Sequence, residues 1–357
     1  MALALLVILV ALMFEYINGF HDTANSIATV VSTKVLTPGQ AVMMSAIFNL
    51  AGALAGTAVA STIGKGLVDI QLINTHTILS ALLAGIIWNL VTWWVGLPSS
   101  SSHALIGGLC GAALASAHND WSAIKWSAFN AATQKWEGLW PKVVWPMFAA
   151  PVCGLLVGFL FVGLLTVLFR RARPGNVNHL FARLQLLSSA WMSFSHGTND
   201  AQKTMGVIAL TLFSATTAGA FDHTPAMLSF LKTDKFEIHI WVKIACALTM
   251  AAGTAAGGWR IIKTLGHKMV KLQKIHGFAA QTTAAAVIQC ASHMGMPLST
   301  THVISSSIMG VGSAKRLNAI KWTVVERMVW AWLMTLPVSG AVAWGLVELF
   351  RFVGFAS

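Results

Sequence analysis

Residues 18–29 read NGFHDTANSIAT, and they follow a first run, residues 1–17, that is apolar apart from Glu15 and Tyr16. The stretch sets His21, Asp22 and Asn25 directly behind that run, and Ile27, Val30 and Val31 then resume it. In water such a cluster fits any cleft. Inside a bilayer it survives only where it faces protein or trapped water.

Composition decides between the two settings. The chain has 357 residues, of which 56% are hydrophobic and 10% charged, against ~25% charged in an average soluble domain. Residues 78–97 and 143–169 contain no Asp, Glu, Lys or Arg and are long enough to cross a bilayer. The sequence therefore predicts an all-α integral membrane protein with roughly ten to twelve membrane segments. The first run has no basic n-region and no small-residue cleavage site, so it reads as a span rather than a signal.

The remaining composition narrows the function. Cys110, Cys153, Cys246 and Cys290 lie singly in apolar stretches, without the spacing of a zinc site or a disulfide framework. The net charge of +12 gathers in loops: Arg170, Arg171, Arg173 and Arg183 in one, Arg260, Lys263, Lys268, Lys271 and Lys274 in another. That pattern orients a membrane protein, positive side inward, and implies no nucleic-acid partner. Trp136, Trp140, Trp145, Trp330 and Trp332 fall at segment ends, where amphipathic rings favour the interface.

The chain also repeats itself. Gly19-Phe-His-Asp22 matches Gly197-Thr-Asn-Asp200, and Ala55-Gly-Thr57 matches Ala252-Gly-Thr254. GLPSSSSHALI from Gly96 matches GMPLSTTHVIS from Gly295, and Ala123-Ile-Lys-Trp126 matches Ala319-Ile-Lys-Trp322. Four anchors in one order predict a duplication: a first repeat over 1–170, a basic connecting loop over 171–183, and a second repeat over 184–357. The loop after the third-residue Thr of the second anchor is nearly neutral in the first half and strongly basic in the second. Opposite charge on equivalent loops predicts inverted-topology repeats. Lys125, Lys135 and Lys142 against Lys315, Arg316 and Lys321 fit that pattern less cleanly.

Asp22 and Asp200 occupy equivalent places in the repeats. An Asp at the bilayer centre costs about 2.5–3.5 kcal/mol, against roughly 0.3–0.6 recovered per Leu or Ile. Coordination of a coupling ion and organisation of a polar substrate is one reading. Capping of broken helices by the two carboxylates is the other. In the first reading NGFHDTANSIAT is the break point of a span. His21 and His196 lie in the same strings, where Asn18 aligns with His196 and His21 with Asn199, and histidine relays protons near neutral pH. Lys203, beside Asp200 and Gln202, either neutralises substrate charge or pairs with an Asp.

The second constellation is Pro98-Ser-Ser-Ser-Ser102-His103 and Pro297-Leu-Ser299-Thr300-Thr301-His302. Proline suits a first helical turn and Ser or Thr an N-cap, so each string predicts a helix that begins inside the membrane. Such starts belong to broken transmembrane helices or re-entrant helical hairpins. They offer N–H groups, a positive dipole end and hydroxyls to an oxyanion, or they pack as small residues between close helices. There is no G-x-S-x-G elbow, Walker loop or His-Glu-x-x-His, and the chain is not expected to be an enzyme.

At these residues the sequence resembles the inorganic phosphate transporter (PiT) family. The resemblance rests on GFHDTANS, FSHGTNDAQKTMG at 194–206, and the two hairpin strings. It implies a proton-driven symporter for inorganic phosphate in a bacterial inner membrane, built from two inverted repeats and working by alternating access. By resemblance, Asp22, Thr23, Asn25, Asn199, Asp200, Gln202 and Lys203 hold substrate together with Ser100, Ser101, Ser102, Ser299, Thr300 and Thr301. Asp22, Asp200, His21 and His196 are the candidates for ion coupling. Sodium-coupled members carry a Glu where this chain has Ser61 and Gln281, which leans away from sodium and toward protons. Similar bacterial members carry a neutral metal–phosphate complex. No cofactor and no resident metal site are expected. Gly-rich segments permit a homodimer. Sodium coupling, an anion channel and a membrane phosphohydrolase are the alternatives.

Overall fold

The first apolar run and the polar stretch after it form one uninterrupted helix, α1 (Ala2–Ser32). The protein is described from a computed structural model that covers residues 1–131, 134–315, 318 and 320–355, without the side chains at 267, 268 and 315. Ala319, which opens the second copy of the fourth anchor, and Arg316 lie outside the described residues. The first half continues with α2 (Pro38–Ala53), α3 (Ala58–Ser61), α4 (Thr75–Val95), α5 (Ser101–Ser116) and α6 (Trp145–Leu168). The second has α7 (Pro174–Thr217), α8 (Ile240–Ala256), α9 (Trp259–Lys263), α10 (Lys274–His293), α11 (Thr300–Lys315) and α12 (Trp322–Phe352). A short hairpin, β1 (Ala128–Asn130) with β2 (Lys135–Glu137), is antiparallel.

Among the described residues, four helical stretches are long and apolar enough to cross a membrane: α1, α4, Trp140–Leu168 and α12. Two bent pairs raise the number to six: α2 with the α3 segment, at 65°, and α8 with the α9 segment, at 58°. The apolar windows of the α6 and α12 stretches are each only 22% buried. An apolar surface of that extent faces lipid or a protein partner rather than water.

NGFHDTANSIAT is therefore not a break in a span, and neither is its partner in the 44-residue α7. A continuous helix keeps every backbone N–H bonded to its own turn, which hydrocarbon strongly favours. The breaks lie one helix later, between α2 and α3 and at Gly257, whose φ of 72° ends α8. The basic connection is also shorter than 171–183: Pro174, at the first position of α7, starts helix there. Arg183 sits on that helix.

The two halves pack reciprocally. α1 lies on α8 while α7 lies on α2, and α5 lies on α12 while α11 lies on α6. Glycines permit the first pair of contacts, since a Cβ on Gly19 would meet the Met250 carbonyl at 2.6 Å and one on Gly197 would overlap the Asn49 carbonyl. Close backbone approach of this kind is how membrane helices associate. The fourth anchor has the same reciprocity: Lys125 N–H donates to the Leu67 carbonyl at 2.9 Å, and Lys321 N–H to the Met269 carbonyl at 3.1 Å.

The apolar interior is split in two. One core takes Ala4–Ile17 of α1 with Ala201–Ala215 of α7, and the other takes Ala24–Val30 of α1 with Phe181 and Met192 of α7. α1 and α7 thus cross the two cores in opposite order. Their polar stretches meet at the junction.

Candidate functional site

Gly96 and Gly295 end α4 and the α10 turn in the left-handed conformation, with φ of 70° and 66°. Each reverses the chain, and a new helix then starts in the protein interior. Ser100 accepts the His103 N–H at 3.1 Å and Ser299 accepts the His302 N–H at 3.3 Å, so both serines are N-caps. Pro98 and Pro297 precede the caps by two residues rather than entering the first turn, and the Pro98 carbonyl accepts from the Trp332 indole at 3.2 Å. His103 and His302 meet edge to face, with ring centroids 4.9 Å apart.

The tips of α5 and α11 reach the two carboxylates in parallel fashion. Ser101 Oγ donates to Asp22 Oδ2 at 3.0 Å, and Thr300 Oγ1 donates to Asp200 Oδ2 at 3.1 Å. His21 Nδ1 lies 2.7 Å from Asp22 Oδ1, and His196 Nε2 lies 2.9 Å from Asp200 Oδ2. Thr301 Oγ1 stands 3.5 Å from Asp22 Oδ1. Three residues beyond each Asp the chain crosses to the opposite tip. Asn25 Nδ2 donates to Thr300 Oγ1 at 3.1 Å and Thr301 Oγ1 at 2.9 Å. Lys203 Nζ donates to Ser102 Oγ, to Asp200 Oδ1, and to the Leu298 carbonyl at 3.1 Å.

All of these side chains are buried, so burial alone leaves them no water to replace a missing partner. Two carboxylates and one ammonium leave one net negative charge, and two helix starts contribute about +0.5 each. The site is close to neutral before any ligand arrives. Asp22, His196 and Asp200 offer ligand atoms within 4.8 Å of one another, an arrangement able to hold a cation. All three are among the ion-coupling candidates named from the sequence; that they converge on one point was not legible there, because they come from α1 and α7, far apart in the chain.

The other residues singled out from the sequence are engaged nearby in bonds of their own. Thr23 Oγ1 donates to the Gly19 carbonyl at 2.6 Å and the Thr254 carbonyl at 3.3 Å, which ties α1 to α8. Gln202 Oε1 accepts the N–H groups of Val59 at 2.8 Å and Ala60 at 3.4 Å, and so caps the broken helix α3 from α7. Asn199 Nδ2 donates to Ser292 Oγ at 2.9 Å and to the Met296 carbonyl at 3.2 Å. Gln281 Nε2 donates to the Ser26 carbonyl at 2.9 Å. Two supporting residues were not singled out from the sequence: Thr92, 3.2 Å from His21 Nε2, and Asn49, whose Oδ1 lies 3.1 Å from His196 Nδ1. An Asn in the otherwise apolar AIFNLAGA of α2 was the one available signal.

These features define a multi-pass helical membrane protein with a buried polar site assembled from helices of both halves of the chain. The profile of the phosphate transporter family matches residues 18–176 and 169–343, and the chain belongs to that family. A Bacillus subtilis protein named "Probable low-affinity inorganic phosphate transporter" is 41% identical over 352 residues, covering 97% of this chain and 98% of its own. A Mycobacterium tuberculosis protein of the same name is 42% identical over 352 residues, covering 99% of this chain and 78% of its own. Among solved structures, one titled "The sodium-dependent phosphate transporter" superimposes with a TM-score of 0.85 over 99% of this chain and 100% of that one. At 22% identity it shares the fold.

Proposed function

We propose that this chain imports inorganic phosphate across a bacterial inner membrane by proton-driven symport. The observation that carries the reading is the parallel pairing of Ser101 with Asp22 and Thr300 with Asp200. Phosphate takes the place between the tips of α5 and α11. Its ionised oxygens accept from Ser101, Ser102, Thr300, Thr301 and the helix N–H groups, and its own hydroxyls donate to Asp22 and Asp200. Ser100 and Ser299 hold the two helix starts in shape, and Asn25 and Lys203 tie each tip to the opposite half.

A near-neutral site that accepts an anion needs a cation with it, which is the physical basis of symport here. Protons are favoured over sodium by Lys203, whose ammonium already sits among three oxygens. The absence of a carboxylate at Ser61 and Gln281 agrees. The cluster of Asp22, His196 and Asp200 is the specific support for sodium as the second reading. A neutral metal–phosphate complex fits the same charge balance. α5 and α11, ~24 Å long at ~1.5 Å per residue, serve as the arms of re-entrant hairpins. The opposite order in which α1 and α7 cross the two cores supports inverted repeats over 1–170 and 184–357, rocking about the site. The Gly-rich surfaces allow a homodimer.

Radiolabelled phosphate uptake into proteoliposomes under separate proton and sodium gradients, with and without Mg²⁺, tests the proposal. An inward proton gradient is expected to drive uptake without sodium. Uptake that follows sodium at fixed pH replaces the proton reading with the sodium one, and phosphoester hydrolysis or ungated conductance ends both.

A further inference from the structure

Glu15 takes no part in the site described above, yet it is fully buried in α1. Its Oε2 accepts from the Thr204 hydroxyl, and its Oε1 has no partner. Among the described residues it enters no ion pair. The groups that act on it from neighbouring helices are Asp200 and Lys203 on α7 and the Cys246 thiol on α8, and on its own helix Asn18 lies one turn away. The Asn18 amide oxygen is likewise without a partner.

A charged carboxylate needs several donors when removed from water, and Glu15 has one hydroxyl. A neutral carboxyl needs only one acceptor for its O–H, and Asn18, one turn away, has an amide oxygen with no partner of its own. Symmetry sharpens the point. Seven residues before each site Asp stand Glu15 and Ser193, and Ser193 donates to Ser45 at 3.2 Å. The acid therefore has no structural counterpart in the second half. Lys203 is the other charge without a counterpart, and Thr204, its chain neighbour, is the residue that holds Glu15. The two unmatched charges are adjacent, on the Asp200 side of the site.

We propose that Glu15 is the binding site of the transported proton, separate from the phosphate site and joined to it through Thr204 and Lys203. The proton adds to Oε1 from one aqueous face and leaves from Oε1 to the other, with no other bond made or broken. The inference rests on the symport reading above.

Its test uses the full chain in proteoliposomes with a luminal pH-sensitive dye, alongside labelled phosphate. Glu15→Gln mimics the permanently protonated state. It is expected to keep phosphate–phosphate exchange within about threefold of the wild type while losing the proton flux that accompanies net uptake by at least about tenfold. Glu15→Asp, which restores an acid, is expected to restore proton flux with a displaced pH profile. Proton flux per phosphate equal to the wild type in Glu15→Gln overturns the proposal. If Glu15→Gln does not fold, dicyclohexylcarbodiimide, which adds to protonated buried carboxyls, is applied to the wild type. Modification of Glu15 that slows as pH rises supports the assignment, and proton-coupled uptake that survives stoichiometric modification of Glu15, or that is untouched by the reagent, overturns it. A wild type that moves phosphate without protons defeats the symport reading itself, which is a separate result.

Discussion

Lys203 stands in the second half where Asn25 stands in the first, and each reaches across to the helix tip of the other half. Asn25 holds Thr300 and Thr301, and Lys203 holds Ser102. The exchange of an amide for an ammonium places a tethered positive charge against Asp200. One half of the site is thus permanently charge-balanced, and the other has only His21 beside Asp22.

Removing one partner of that buried pair should be severe. Lys203→Ala strands Asp200 and is expected to lower stability by roughly 3–5 kcal/mol. The double variant Asp200→Asn with Lys203→Asn carries no net charge change and should recover most of that loss while remaining inactive. Thermal unfolding in detergent of the two singles and the double checks it. A double variant no more stable than Lys203→Ala refutes the pairing.

Asp22→Asn and Asp200→Asn should each reduce phosphate uptake by at least about a hundredfold, as the proposed phosphate contacts of both carboxylates require. Both should still insert, because an amide can keep one bond to Ser101 or Thr300; Asp22→Asn should remain monodisperse, whereas Asp200→Asn also leaves the Lys203 ammonium unpaired and should lose stability. Near-normal uptake in either variant removes that carboxylate from the site.

Gln202 distinguishes a structural role from a substrate role. With its oxygen capping α3, Gln202→Ala should cost about 1 kcal/mol of stability and leave the KM for phosphate within about twofold. A rise in KM without loss of stability would place Gln202 among the substrate ligands instead.

The helix contacts along the far halves of α5 and α11 are close enough to be probed by size. A Cβ on Gly111 would overlap the Gly340 carbonyl of α12, and one on Gly310 would overlap the Leu155 carbonyl of α6. Gly111→Val and Gly310→Val should each destabilise by about 1–3 kcal/mol or more through forced separation of the helices. Matching losses in the two variants, measured by thermal unfolding, would follow from the reciprocal packing. A neutral outcome in one alone would break that equivalence.

Much of this was legible before any coordinates. The shortage of charge dictated a membrane protein, and the Pro-x-Ser strings marked interior helix starts, because local capping chemistry needs only neighbouring residues. The break points were not legible. NGFHDTANSIAT has the polarity of an interruption, yet Asp22, Thr23 and Asn25 find partners on α5, α8 and α11, and its backbone keeps the helix. Gln202 likewise reads as a ligand until α3 is seen to end on it.

The sequence by itself determined the class and the residue types at the centre, since hydropathy and local motifs are properties of the chain in order. Only the tertiary structure decided which hydroxyl meets which carboxylate, and that Lys203 replaces Asn25 in a crossed arrangement. Those partners lie on helices far apart in sequence, and they meet because glycines let α1 close on α8 and α7 on α2.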